Sequence, residues 1–510
     1  MTLGVQPAWA IHLQPGSKIP LQDEAARRYL RRGYLAEALL WGGDRPALVA
    51  GDIALSHDEL RSAARGAAVR LMEIGVTQGL HVALLAENSA AWIVSYLGLQ
   101  LLGATVVGMN PAFKEAEAEQ ILTDSEAAVA LVDAGRQPLI DALRPRLKAL
   151  RGTARVEEIG SSVASAVPSP RVGEVNGGGS LNPEDPALLL YTSGTTGRPK
   201  GALLDHGNLL AQGRGVVEAW RWTQDDRLVL ALPLFHVHGL AIALHGSLIA
   251  GGCAVLVPFS PENVVRELRA GGTMFFGVPA MYQRLADYLD RNPTDLRDVR
   301  LFVAGSAPLP ATLFERCQRV LSQPVLERYG ITEGGIVVSN PYDGPRQPGR
   351  VGYPLPGVEV RLGEQDEVQL KGGQVFKGYW RNAAASADVF VDGWFRTGDI
   401  GEIAGDGSLA IRGRIKELII SGGYNVYPRE VEIVLEQHPA VAEVAVAGLP
   451  SERWGEEVTA FVVARTSVDG RELISFARER LATYKCPRAV RFLEAIPRNA
   501  MGKIDRSRLQ

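Results

Sequence analysis

The chain has 510 residues, with 54 Lys+Arg against 57 Asp+Glu and 46 % apolar residues, an ordinary globular composition. Its length implies more than one domain, and a net charge of -3 lacks the basic excess that a nucleic-acid or anionic-membrane binder needs. The 3 cysteines, Cys253, Cys317 and Cys486, are far apart with no metal-ligand spacing, which excludes a disulfide framework or zinc finger and makes a reducing, cytoplasmic compartment the default.

From the N-terminus, residues 1–16 lack a basic n-region and their short apolar stretch is bracketed by Pro7 and Pro15, which reads against a signal peptide. Arg27, Arg28, Arg31 and Arg32 recur one helical turn apart and read as a solvated helix face. Short β-rich runs at 81–85, 105–108, 128–132 and 187–191 alternate with helix-length patterns, the rhythm of parallel sheets with crossover helices. Residues 88–113 and 228–261 contain no Asp, Glu, Lys or Arg. Their Gly, Pro and His interruptions fit buried helix–strand pairs better than membrane spans, and the chain reads as soluble. Residues 160–186, with Gly177-Gly178-Gly179, read as a flexible connection.

A second pattern begins near residue 415: strands at 418–421, 441–447, 458–464 and 489–493, with helices at 428–437 and 471–481. The expected organisation is therefore α/β: a large domain of parallel-rich sheets, residues 1–414, and a small α+β domain, residues 415–510.

Tyr191-Thr192-Ser193-Gly194-Thr195-Thr196-Gly197-Arg198-Pro199-Lys200-Gly201 follows a strand and precedes a helical pattern. Glycines let the backbone approach an anion, hydroxyls add donors and Lys200 adds charge, a combination suited to a polyphosphate. It is not a Walker A loop, because Pro199 precedes Lys200 and no Ser or Thr follows it. The segment resembles the signature loop of the adenylate-forming superfamily, which includes acyl-CoA synthetases, luciferases and peptide-synthetase adenylation domains. The resemblance spans nearly the whole chain through Pro233–His236, Gly277-Val278-Pro279, Ala304–Pro308, Tyr329–Glu333, Gly393–Asp399, Gly413–Glu417 and Pro497–Lys503.

By that resemblance the chain activates a carboxylic acid with ATP and Mg²⁺ as acyl-AMP, releases pyrophosphate, and passes the acyl group to the thiol of CoA. Lys503 matches the catalytic lysine that bridges carboxylate and α-phosphate; Glu333 matches the magnesium ligand, with Thr192 beside it. Ser193, Gly194, Thr195, Thr196, Gly197 and Lys200 would cradle the triphosphate. Ser306, Ala307 and Pro308 would line the adenine pocket, Tyr329 would stack on adenine, and Thr332 would touch phosphate. Glu327, Arg328, Gly330 and Ile331 belong to the same nucleotide segment, Asp399 would accept the ribose hydroxyls, and Arg414 would contact ribose or phosphate. Lys416 falls at the family's hinge, from which the small domain would swing to present the Gly422-Gly423 loop to a pantetheine arm. Trp454, Tyr484 and Arg488 resemble CoA contacts, although Cys486 stands where some relatives carry a basic residue.

His236 matches the group that closes the carboxylate site, and Val237, His238, Gly277, Val278, Gly305, Gly330, Gly334 and Gly335 would line the acyl pocket. No Asp stands at or near His236, which disfavours an α-amino acid. The 235–240 string and the segment around Arg284 look like malonyl-CoA synthetases, with Arg284 placed to pair a distal carboxylate; the glycines near 334 fit a bulkier apolar or aryl group equally well. His245 reads as core. Between 357 and 377 the hairpin is shorter than in relatives. The alternatives are an adenylating enzyme that loads an acyl carrier protein, a luciferase-like oxygenase, or a nucleotide-binding protein without turnover; monomer and homodimer are both open.

Overall fold

The computed structural model describes residues 6–161, 181–192, 199–421, 423–498 and 504–509. Among the residues singled out above, Ser193, Gly194, Thr195, Thr196, Gly197, Gly422 and Lys503 lie outside this set, as does most of the 160–186 connection.

Four sheets organise the described residues. The largest has nine strands, six of them parallel in the order Leu326–Ile331, Leu301–Ala304, Met274–Gly277, Arg227–Leu230, Cys253–Leu256 and Pro46–Ala50. Antiparallel strands flank it at both edges. A six-stranded sheet holds Gly152–Arg155, Val129–Val132, His81–Leu85, Thr105–Gly108 and Pro186–Thr192 in parallel, closed by the antiparallel Lys200–Asp205. Their central strands, such as His81–Leu85, Thr105–Gly108, Met274–Gly277 and Leu301–Ala304, are buried at every residue on both faces, as parallel sheets covered by helices require. A small antiparallel sheet contains Val358–Leu362, Glu367–Gly372 and Trp394–Ile403; the shortened hairpin turns through left-handed Gln365 and Asp366. The fourth sheet, in the C-terminal part, combines Ile419–Ser421, Tyr424–Val426, Val441–Ser451, Gly455–Ala464 and the parallel strand Ala489–Phe492.

The uncharged stretches fold as expected from their interruptions. Residues 88–113 give the helix Ala90–Leu102, capped by Ser89 and ended by left-handed Gly103, then the strand Thr105–Gly108. Gly98 lets this helix close on His57–Glu73, since a methyl there would stand 2.9 Å from the Ala67 side chain. No helix among the described residues is long and apolar enough to cross a membrane.

The arginine-rich helix Asp23–Arg31 differs from the solvated face expected of it. Arg28 is exposed, but Arg27 pairs with Glu359 at 2.5 Å and Arg31 donates to Asp205 at 2.9 Å and to the Gly373 carbonyl at 2.8 Å. These half-buried arginines dock the helix onto His206–Ala219 and the small antiparallel sheet. Charge periodicity alone does not show that its partners sit on distant strands.

Two core histidines make stability pH-dependent. His206 packs on the Tyr34 ring at 4.1 Å, and Nε2 of His245 meets the Tyr96 hydroxyl at 2.8 Å. Burial pushes both imidazoles down to about 3. Each is neutral when folded, so the unfolded chain binds the extra proton between pH ~6.5 and that value, and stability present above ~6.5 is lost as pH falls, by about 1.4 kcal/mol per pH unit per ring. Glu327, pushed up to about 7 by burial, acts in the opposite sense between pH ~4.5 and 7. The informative quantity is therefore a difference: urea unfolding of His245→Gln should lose less stability than the parent chain between pH 7 and 5, by about 2 kcal/mol.

Candidate active site

The nucleotide residues converge where the small antiparallel sheet meets the edge of the main one. Register places Asp399 directly opposite Arg414, and Gly398, at φ 71°, turns the strand just before it. Asp399 is 2 % exposed; its Oδ1 accepts from Arg414 Nε at 2.8 Å and its Oδ2 from the Tyr329 hydroxyl. The backbone N–H of Asp399 donates to Thr397 Oγ1 at 3.0 Å. Asp399 in turn raises the Arg414 pKa, and burial followed by this carboxylate raises that of Tyr329. A carboxylate so fixed retains lone pairs for further donors, and no side chain needs to reorganise before it binds hydroxyls.

Glu333 sits in the turn between Leu326–Ile331 and Gly335–Ser339. Its Oε1 accepts from the Tyr379 hydroxyl at 3.0 Å and its backbone carbonyl accepts from Phe376 N at 2.8 Å. The Tyr379 ring lies 5.2 Å from Lys200 Nζ, and Lys200 pairs with Thr192 in the two strands that flank residues 193–198. A second clamp joins that hairpin to the same segment, with Trp380 N donating to Gly201 O at 2.7 Å. Lys416 is half-buried, and desolvation, then the charge of Arg414, with Lys200 adding to it, lowers its pKa. Lys200, Arg414 and Lys416 therefore form a positive region facing Glu333 and Asp399. Tyr379 was missed at the level of sequence because an isolated Gly-Tyr-Trp carries no spacing signal.

Among the described residues no group of three or more His, Cys, Asp or Glu is placed to hold a metal ion. That donor set fits Mg²⁺ only as Mg²⁺ is usually held with nucleotides, by one carboxylate plus phosphates and waters. Glu333, with one oxygen engaged by Tyr379, would be the candidate for that carboxylate.

The acyl candidates meet one another. The segment after Leu230 ends in a π-helix, His238–Leu244, a rare conformation that recurs at functional sites. Gly239 is obligatory there, since a Cβ would stand 2.2 Å from the Pro233 carbonyl oxygen. His238 N donates to His236 Nδ1 at 3.3 Å, and His238 Nδ1 meets Ser306 Oγ at 3.3 Å. Burial first, then the charge of Arg328, holds His238 neutral. Ser306 adopts φ 71°, a strained conformation for a residue with a side chain, in the segment Ser306–Pro308. Glu327 faces the interior, where it accepts from Leu309 N at 3.1 Å and so braces that segment. Arg284 lies on the exposed face of Pro279–Arg291, its guanidinium 4.9 Å from the Phe259 ring centre.

The glycines expected to line the acyl pocket stand against close neighbours. A methyl on Gly335 would fall 1.9 Å from Gln212 Oε1, one on Gly305 2.4 Å from the Arg328 guanidinium, and one on Gly330 2.3 Å from the Gly335 carbonyl oxygen. Gly277 and Gly334 would meet ring or aliphatic atoms at 3.2 Å. Gly305, Gly330 and Gly335 admit neighbouring polar groups, and the cavity between Val237, Gly335 and Gln212 measures about 10 Å³, room for roughly one water.

In the C-terminal part the Arg488 guanidinium lies 3.7 Å over the Trp454 ring, and Tyr484 stacks on Tyr424, which follows Gly423, at 4.8 Å. Cys486 is buried, its Sγ near the Ala482 carbonyl, so it belongs to this domain's core. The Arg498–Ile504 bridge closes the base of the segment that bears Lys503.

The AMP-binding enzyme family matches residues 37–380, and the AMP-binding enzyme C-terminal domain matches residues 430–503. The chain is 37 % identical to 2-succinylbenzoate–CoA ligase of Bacillus licheniformis, over 91 % of its own length and 96 % of the relative's. It is 36 % identical to the human mitochondrial malonate–CoA ligase ACSF3, over 84 % and 82 % of the two chains. Among solved structures, ATP-bound MatB from Rhodopseudomonas palustris aligns with TM-score 0.85 at 34 % identity, covering 93 % of this chain and 97 % of that one.

Proposed function

The chain belongs to the AMP-binding enzyme family and is an AMP-forming acid–thiol ligase, and we propose that its nucleotide site is the Tyr329–Asp399–Arg414–Glu333 cluster, with CoA as the thiol acceptor. The observation that carries the site is the buried Asp399 carboxylate pinned by Arg414 and Tyr329 on the side where Lys200 and Lys416 add positive charge.

A carboxylate acylates poorly because oxide leaves badly, so its oxygen first attacks the α-phosphorus of ATP and expels pyrophosphate. The attack brings two anions together, and positioning plus fixed positive charge supplies the rate. In this reading Asp399 holds the ribose hydroxyls, Tyr329 lies against adenine beside Ser306–Pro308, and Lys200 with the 192–197 loop grips the triphosphate. Lys503 neutralises the oxygens at the reacting phosphorus. Mg²⁺ on Glu333 would neutralise charge on the phosphates. His236, with Nδ1 already accepting from His238 N, closes the carboxylate end.

Transfer to a thiol follows in a second arrangement of the same two domains, residues 1–414 and 415–510, about Lys416. The backbone leaves the small antiparallel sheet at Arg414 and enters the C-terminal sheet at Ile419, which supports a pivot between them. Trp454 and Arg488 would meet the nucleotide end of CoA. The free, buried state of Cys253, Cys317 and Cys486 supports a reducing compartment such as the cytoplasm. A panel of carboxylic acids assayed for AMP formation with CoA, with a phosphopantetheinyl carrier protein, and with neither tests the reading. Acyl-CoA should accumulate only with CoA; a product formed on the carrier alone would move the acceptor to the carrier, and release of pyrophosphate with no acid of the panel would defeat the reading.

A further inference from the structure

The half-buried Tyr379 side chain touches two groups of opposite charge. Its hydroxyl donates to Glu333 Oε1 at 3.0 Å, and its ring centre stands 5.2 Å from the Lys200 ammonium. One residue therefore joins the carboxylate proposed for the cation of a nucleotide to the charge proposed for the phosphates. The two contacts use independent features of a phenol. The O–H is a hydrogen-bond donor, and the ring face attracts a cation through its quadrupole.

The backbone holds Tyr379 at this crossing from several directions. Residue 379 bridges antiparallel to Ala202, Trp380 N donates to the Gly201 carbonyl at 2.7 Å, and Tyr379 N donates to Ser386 Oγ at 2.8 Å. Its ring meets that of Phe376 edge-on at 4.9 Å, and Phe376 N donates to the Glu333 carbonyl at 2.8 Å. Trp380 Nε1 reaches the Asp124 carbonyl at 3.1 Å, and the Tyr191 hydroxyl donates to the Asp124 carboxylate at 2.6 Å. The segment is thus tied to the strand after residues 193–198 directly, and to the strand before them through Asp124. A glutamate in a turn otherwise samples many rotamers and loses that freedom when it binds. A donor fixed this firmly removes the loss in advance, engaging one carboxylate oxygen and leaving the other for a cation.

Resting on the assignment of Glu333 above, we infer that Tyr379 is a positioning residue for the metal-bound nucleotide. Its hydroxyl orients the Glu333 carboxylate before a divalent cation arrives, and its ring keeps the Lys200 ammonium on the phosphate side. Groups hydrogen-bonded behind a ligating carboxylate set metal affinity by roughly 10–100-fold. The two contacts are separable: phenylalanine at 379 removes the first and keeps the second, and leucine removes both.

Calorimetric titration with ATP, once with Mg²⁺ and once with EDTA, reads the metal-dependent part of binding without turnover. The parent chain should bind MgATP more tightly than metal-free ATP. Tyr379→Phe keeps the ring against Phe376 and every backbone bond. It should shrink the MgATP advantage by about 10-fold or more and leave the affinity for metal-free ATP within about twofold. A tyrosine that only stabilised the fold would weaken both titrations together. Tyr379→Leu should in addition weaken metal-free ATP by more than about threefold; equal affinity in the two variants would overturn the part given to the ring. If the hydroxyl acts through Glu333, adding Tyr379→Phe to Glu333→Gln should change the advantage by less than about twofold. Additive losses, or an unchanged advantage in Tyr379→Phe beside a large loss in Glu333→Gln, overturn this proposal and leave Glu333 in place. A parent chain that binds both forms alike, or an unchanged advantage in Glu333→Gln, sinks the assignment of Glu333 together with it.

Discussion

Lys503→Ala is expected to lower acid-dependent pyrophosphate release on the order of 10³-fold, while transfer of the acyl group from supplied acyl-AMP to CoA continues within a few-fold of the parent rate. Removing one preorganised donor aimed at developing transition-state charge costs roughly 10²–10³ in rate, and a full positive charge between two anions belongs at the upper end. The segment that bears it is anchored on both sides. Arg498 Nη2 donates to Glu443 at 2.8 Å, Asp505 N donates to Pro497 O at 2.9 Å, and Leu509 and Ile504 pack with Phe461 and Ala445. Substitution at Lys503 therefore removes a charge without unseating the tail. Separate assays of the two half-reactions check it: equal losses in both would contradict the assignment, because only the first half-reaction joins two anions.

Asp399→Asn is expected to raise the KM for ATP by about 10²-fold or more. Hydrogen bonds to a charged acceptor are worth about 1.5–3 kcal/mol each, and two ribose hydroxyls would share this one. The amide keeps the shape and still accepts from Tyr329, but it loses the charge that holds Arg414 at 2.8 Å. A second readout separates this role from a structural one. The parent enzyme should discriminate against 2′-deoxy-ATP, and Asp399→Asn should lose most of that discrimination. Equal discrimination in both proteins, measured by pyrophosphate release, would remove Asp399 from the ribose.

Much of this site was legible in the chain because its parts are local. The strands at 81–85 and 105–108 were readable as short β-rich runs bounded by breakers, and they stand at those residues. The Tyr329–Glu333 segment places Glu333 in the turn after a strand, and Gly398 sets Asp399 within one, so local sequence governs much of their geometry. What escaped was long-range. Arg31 meeting Asp205 and Gly373, Tyr379 steadying Glu333, and Gln212 filling the space at Gly335 all join elements far apart in the chain. The glycines show why. Near residue 334 a missing side chain reads equally as room for a ligand or as room for a neighbour, and only the fold shows Arg328 packed on Gly305 and Gln212 on Gly335. The same ambiguity applied to Arg328, which as sequence is one more residue of a nucleotide motif and in the fold faces away from Asp399.

The account rests on a nucleotide held between Tyr329 and Asp399 while an acid is presented from the His236 side. A crystal structure with a hydrolysis-resistant acyl-sulfamoyl adenosine tests this most directly. It should show both ribose hydroxyls within hydrogen-bond distance of the Asp399 carboxylate, with the acyl group directed toward His236 and Gly305. An adenosine bound elsewhere, or one whose ribose faces away from Asp399, would contradict it.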